Sequence, residues 1–239
     1  MPGAARAGLR KPRPRRSCKP AIRAGWTLAS AWGLPWALVS VLAYAMACVL
    51  VLAGCSTPNP ALKAAAAKQA MCSACHGADG GSVSVPAPVL AGQQQAYLVA
   101  QLTALRDRSR ANDKARTFMW PMAASLSDAE IDNLASHFAA LPPPRSTAVQ
   151  DATASASAGQ SLYETGAPDR GIVPCSTCHG DKGQGMAGFP RLAGQHADYL
   201  AAQLAAFADG SRASPVMGAM ARNLSAQDAQ RLAAYLAAL

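Results

Sequence analysis

The sequence predicts an all-α chain built as two tandem domains of three to four helices each. Three observations predict it. Residues 90–110 (LAGQQQAYLVAQLTALRDRSR) and 192–212 (LAGQHADYLAAQLAAFADGSR) match at 13 of 21 positions without a gap. Apolar residues in both halves recur at helical spacing, and no stretch shows the alternation of a convincing strand. A Cys-x-x-Cys-His run stands ahead of each copy, at 72–76 and at 175–179.

The 239 residues carry a net charge of +9, which on its face suggests a nucleic-acid binder. The distribution removes that reading. Eight of the 22 Lys and Arg precede Trp26, where there is no acid, and from Cys55 onward 14 basic residues face 13 acidic ones. A basic start, an apolar run from about Trp26 to Ala53 and small residues at its end read as an export signal over residues 1–54. The ending Leu-Ala-Gly-Cys resembles the bacterial lipoprotein box. That resemblance implies lipid on Cys55 and a membrane anchor. The alternatives are an uncleaved N-terminal membrane helix or a soluble exported protein. All put the remaining chain on the periplasmic side. Pro58 and Pro60 mark a short tether over residues 55–61.

Within each Cys-x-x-Cys-His run, two thiols are spaced to form thioethers with the vinyl groups of a haem, and the adjacent histidine reaches the iron. The cysteines are Cys72 and Cys75 in the first half, and Cys175 and Cys178 in the second. The iron-ligating histidines are His76 and His179. Two covalently bound haem c groups are therefore expected. They also supply bulk that the chain lacks: aromatic residues are only 5%, and two small cores so composed would be marginal alone. Of seven cysteines, two leave with the signal, one takes lipid and four hold haem. None remains for a disulfide or a catalytic thiol.

The elements follow in order. Residues 62–71 read as an Ala-rich helix leading into the first haem motif. Residues 94–107 keep Tyr97, Leu98, Gln101, Leu102 and Leu105 on one helical face. Ser127, with Glu130 three residues on, forms a capping-box pattern ahead of Ile131, Leu134 and Phe138. A Pro-rich and then Ser/Ala-rich stretch, residues 142–157, separates domain 1 (62–141) from domain 2 (158–239). The second half repeats the pattern with helices over 158–165, 196–209 and 226–238, the last capped by Ser225.

A second axial ligand decides whether each iron is open or closed. Each half offers a Met-x-x-Met ahead of a Leu-Ser: Met119 and Met122, then Met217 and Met220. A methionine sulfur is soft and neutral, and it raises the potential relative to a second imidazole. Spacing alone leaves both members of each pair open, since methionine is also a common core filler. His137 and His196 have no counterpart in the other half and read as surface or structural. Tyr97 and Tyr199 do recur. They suit packing, with the hydroxyl reaching a haem propionate or the facing domain, and Gln93 and Gln195 suit a similar place.

The paired haem motifs, the Leu-Ala-Gly-Gln turn before a Tyr-bearing helix, and the Met-x-x-Met before a Leu-Ser-capped helix resemble the dihaem cytochrome c4 family over about residues 62–239. The resemblance implies two tandem cytochrome c-like domains and takes the first methionine of each pair, Met119 and Met217, as axial ligand. It also implies that the carbonyls of Pro88 and Pro190 accept the Nδ1–H of the axial histidines. The implied activity is single-electron transfer between respiratory-chain partners such as a membrane cytochrome complex, a terminal oxidase or a dehydrogenase. No catalytic residue is implied. The alternative is a cytochrome subunit of a redox enzyme, for example a flavocytochrome sulfide dehydrogenase. A dihaem peroxidase or thiosulfate-oxidising enzyme is disfavoured by the balanced methionine pairs and the absence of a spare cysteine.

Overall fold

A computed structural model describes residues 60–82, 84, 86–144 and 154–239; side chains are described from residue 63 and again from residue 157. The chain divides into units 1–57 and 58–239. The first unit, with the expected export signal and Cys55, lies outside the described residues, as does most of the linker. Among the described residues there is no strand, only isolated bridges. No described helix is long and apolar enough to cross a membrane.

Helix α1 (Pro60–His76) opens the first half. It starts inside the expected tether and runs five residues past the expected end. Proline suits the first helical position, where its missing N–H has no partner to lose. No breaker intervenes before Gly77, whose φ of 82° stops the helix. Helix α2 (Gln95–Arg106) follows. A π-helical turn (Ala115–Met119) then leads into the short α3 (Trp120–Ala123), neither of which the periodicity predicts. Helix α4 (Asp128–Ala140) has the expected box: Ser127 accepts from the Glu130 N–H, and Glu130 reaches back to Ser127 N–H at 2.9 Å. Such a cap contributes about 1 kcal/mol.

The second half repeats this with one interruption. Helix α5 (Ala154–Thr165) begins four residues before the expected start, on alternating alanines, the strongest helix formers. It stops at Gly166, and a 3₁₀ turn (Pro168–Arg170) intervenes before the four-residue α6 (Ser176–His179). Where the first half has one helix running into its haem motif, the second has a helix, a loop and a turn. Gly166 and Gly171 both hold positive φ there. Ile172, 2% exposed, anchors the loop in the core. Helices α7 (Ala197–Ala208), α8 (Pro215–Ala221) and α9 (Ala226–Ala238) complete it. Asp228 closes a second capping box with Ser225.

Each half packs its own core. In the first, Leu98 and Leu105 of α2 meet Ile131, Leu134 and Phe138 of α4. In the second, Leu162 and Tyr163 of α5 meet Leu200 of α7 and Leu232 and Leu236 of α9. The Leu-Ala-Gly-Gln turns are tied to the last helix of their own half. Gly92 N–H donates to Phe138 and Gly194 N–H to Leu236. Both glycines have positive φ, 64° and 73°. The proline run lies on both: a Cβ at Gly92 would sit 2.7 Å from Pro143 Cβ, and one at Gly194 2.8 Å from Pro144 Cγ.

Candidate haem centres

Each Cys-x-x-Cys-His run ends a helix against a glycine. His76 closes α1 and His179 closes α6, with Gly77 and Gly180 next at φ 82° and 80°. Both imidazoles are buried, 6% and 5% exposed. His76 Nδ1 donates to the Pro88 carbonyl at 2.8 Å, and His179 Nδ1 to the Pro190 carbonyl at 3.0 Å. A carbonyl can only accept, so Nδ1 carries the proton and Nε2 keeps its lone pair for a metal. Burial lowers the pKa of both rings, against the opposing pull of the proline carbonyls. The neutral form that binds iron is thus favoured at neutral pH.

Of the four cysteines of the two runs, Cys75 is exposed and the others are half-buried. Burial raises the Cys72 pKa and pushes that of Cys175 up to about 11. Met119 ends the π turn, half-buried and packed on the first core; Met122 lies in α3. Met217 and Met220 lie in α8, where Ser214 caps the helix by accepting from Met217 N–H at 3.2 Å. All four methionines are half-buried, so burial does not separate the members of either pair. His137 stacks edge-on against Phe138 at 5.0 Å, and His196 occupies the N-cap of α7.

Tyr97, Tyr199, Gln93 and Gln195 reach the facing half rather than packing in their own. Arg212 donates to Tyr97 Oη at 2.7 Å, to Gln101 at 2.7 Å and to Gln203 at 2.8 Å. Arg110 makes the counterpart set to Tyr199 at 3.0 Å, Gln203 at 2.8 Å and Gln101 at 3.0 Å. The two arginines also pair as an antiparallel bridge. Burial works against the charge at Arg110, but the Tyr199 and Tyr97 hydroxyls outweigh it and hold the pKa above its usual value. At Tyr199, burial is likewise outweighed by the two guanidiniums, and the phenol falls below its usual range. The Arg110 carbonyl accepts from Trp120 Nε1–H at 2.8 Å, which ties the segment bearing Met119 to this contact. Neither arginine is singled out by motif reading. Their recurrence at the end of both 21-residue copies is the signal that marks them.

Two features of the chain fit a haem in each half. The exposed large apolar side chains among the described residues are Met71, Phe118, Val173, Met186, Phe189 and Val216. Each lies within four positions of a haem-site residue read from the sequence, as if a flat apolar body covered it. Arg110 and Arg212 have no carboxylate partner among the described residues, and a haem carries its own carboxylates. The residues that could hold the groups are Cys72, Cys75 and His76 with Met119 or Met122 in one half, and Cys175, Cys178 and His179 with Met217 or Met220 in the other.

Comparison with known proteins follows the same division. A family model described as cytochrome c matches residues 62–141 and again 156–239. Cytochrome c4 of Thiocapsa roseopersicina is 41% identical over 175 residues, 71% of this chain and 87% of its own length. A thiosulfate dehydrogenase electron acceptor of Stutzerimonas stutzeri (strain A1501) is 40% identical over 171 residues, 70% of this chain and 77% of its own. Among solved structures, cytochrome c4 of Acidithiobacillus ferrooxidans superposes with a TM-score of 0.66 at 39% identity, covering 70% of this chain and 98% of that one.

Proposed function

The chain belongs to the cytochrome c family as a dihaem electron-transfer cytochrome of the c4 type, and from that premise we propose that it relays single electrons between respiratory-chain proteins on the periplasmic side of a membrane, held there by lipid on Cys55. In this reading His76 and Met119 ligate one iron, and His179 and Met217 the other. The haem c groups supply the one-electron couple. The protein's part is to hold each ligand set fixed in both oxidation states. The observation that carries the ligand reading is the pair of buried imidazoles, each with Nδ1 committed to a proline carbonyl. A ring so fixed keeps its orientation and gains basicity as a ligand. The domain limits, residues 62–141 and 158–239 joined by 142–157, belong to the same proposal.

Partner choice has two versions. In the first, the chain shuttles between a membrane cytochrome complex, an oxidase or a dehydrogenase. In the second, it serves one enzyme as a dedicated acceptor. For the second version, the relative named as a thiosulfate dehydrogenase electron acceptor supports a thiosulfate-oxidising partner over the sulfide-oxidising enzyme given as its example.

Carbon monoxide tests the ligand set. The fully reduced parent is expected to show no spectral change on addition of the gas. Met119→Leu should open one haem to it and Met217→Leu the other, while Met122→Leu and Met220→Leu leave both closed. Carbon monoxide binding in Met122→Leu but not in Met119→Leu would reassign the first ligand.

A further inference from the structure

The peptide that holds each axial histidine is gripped from the opposite half. The Pro88 carbonyl accepts from His76 Nδ1–H at 2.8 Å. The N–H of that same peptide belongs to Val89, and it donates to Gln195 Oε1 at 2.9 Å. Gln195 Nε2 returns a bond to the Val89 carbonyl at 3.0 Å. The second half mirrors this. The Pro190 carbonyl accepts from His179. The adjoining Arg191 N–H donates to Gln93 Oε1 at 2.7 Å, and Gln93 Nε2 donates to the Arg191 carbonyl at 2.9 Å. Both glutamines are buried, at 7% and 6% exposure, and Val89 is 7% exposed. Each amide thus pairs with an extended backbone as a neighbouring strand would.

We propose that Gln195 and Gln93 are positioning residues that set the basicity of the axial histidine across the domain contact: Gln195 acts on His76 and Gln93 on His179. The physical route is one peptide group wide. An N–H that donates to a good acceptor polarises its own peptide and makes the carbonyl a stronger acceptor in turn. A stronger Nδ1–H···O bond enriches the imidazole in electrons, which favours the ferric state and lowers the potential. The link is reciprocal, so the oxidation state at one centre alters the grip felt by the other half. This inference rests on the proposal that His76 and His179 ligate iron.

The test uses the haem-loaded chain and the variants Gln195→Met and Gln93→Met, which keep the side-chain length and remove both hydrogen bonds. In the reduced protein, strongly ring-current-shifted histidine protons report ligation by themselves; their absence from the parent would overturn the ligand reading before any variant is made. Given those signals, Gln195→Met should move the His76 Nδ1–H resonance upfield and raise the potential of the first haem. His179 and the second haem should hold. Gln93→Met should give the mirror image. Gln195→Glu, with its carboxyl protonated, keeps an acceptor oxygen and an O–H donor and should return the His76 signal toward the parent. A shift confined to the variant's own half, or none at either histidine, would overturn the inference while leaving ligation intact.

Discussion

Removing Arg212 weighs hydrogen bonding against charge repulsion at the contact between the two halves. Arg212→Met deletes three side-chain bonds of 2.7, 2.7 and 2.8 Å from a residue only 6% exposed. Bonds to charged groups contribute about 1.5–3 kcal/mol each. The loss is smaller than three such bonds, because Gln101 and Gln203 keep Arg110 as a donor. Only Tyr97 Oη is left without a partner, so the gross loss is about 2–4 kcal/mol. Against this, both guanidiniums bond the same two amide oxygens and therefore lie within about 6 Å of each other. Their repulsion at that distance is worth about 3 kcal/mol at an effective dielectric of 20. For the bare chain the two contributions nearly cancel. Haem carboxylates set against the pair would offset the repulsion, and the hydrogen-bond loss would then stand. The loaded variant should then be less stable by about 2–4 kcal/mol. Urea unfolding measures this, with the emission of Trp120, the lone tryptophan after Cys55, reporting the first half. A loaded variant as stable as its parent would refute the argument that anions balance this arginine pair.

Two further effects are open to direct measurement. Gly92→Ala places a side chain at φ 64° with its Cβ 2.7 Å from Pro143, and should cost about 2–4 kcal/mol in thermal or urea unfolding. Gly188→Ala, with nothing within 4 Å of the new Cβ, should stay within about 0.5 kcal/mol of the parent. Burial alone would raise the Asp228 pKa, but the bond from Arg170 at 2.6 Å and the Ser225 hydroxyl and N–H outweigh it and hold it below the usual carboxylate range. A depressed folded-state pKa stabilises above the unfolded value of about 4 and is lost as pH falls through the folded one. Amide exchange in α9 should therefore speed up in that acid window. Asp228→Asn should flatten the dependence, and an unchanged slope in that variant would place the acid sensitivity elsewhere.

Much of the chain was legible from short-range pattern. The haem motifs are contiguous. The caps at Ser127 and Ser225 span three residues, and helix periodicity spans a turn or two; all are local, so the linear order carries them. The internal repeat also announced that the molecule is doubled. Local pattern failed where a breaker or its absence set the limits: α1 runs through the first haem motif because nothing stops it before Gly77, while Gly166 and Gly171 cut the second copy into α5, a loop and α6. The π turn at Met119 lay beyond 3.6-residue reading altogether.

By itself, then, the sequence determined that the chain carries two copies of one helical, haem-binding half, each with its own Cys-x-x-Cys-His run. Only the tertiary structure decided how the halves meet. Val89 and Gln195 lie 106 positions apart, and Arg212 and Tyr97 115 apart. No local period records such pairs, because they form only once each half has folded and its repeat counterpart is in place to complete the contact. The paired arginines and the buried glutamines on the histidine-bearing peptides take their roles from that face-to-face packing, where burial makes polar groups find partners across the contact.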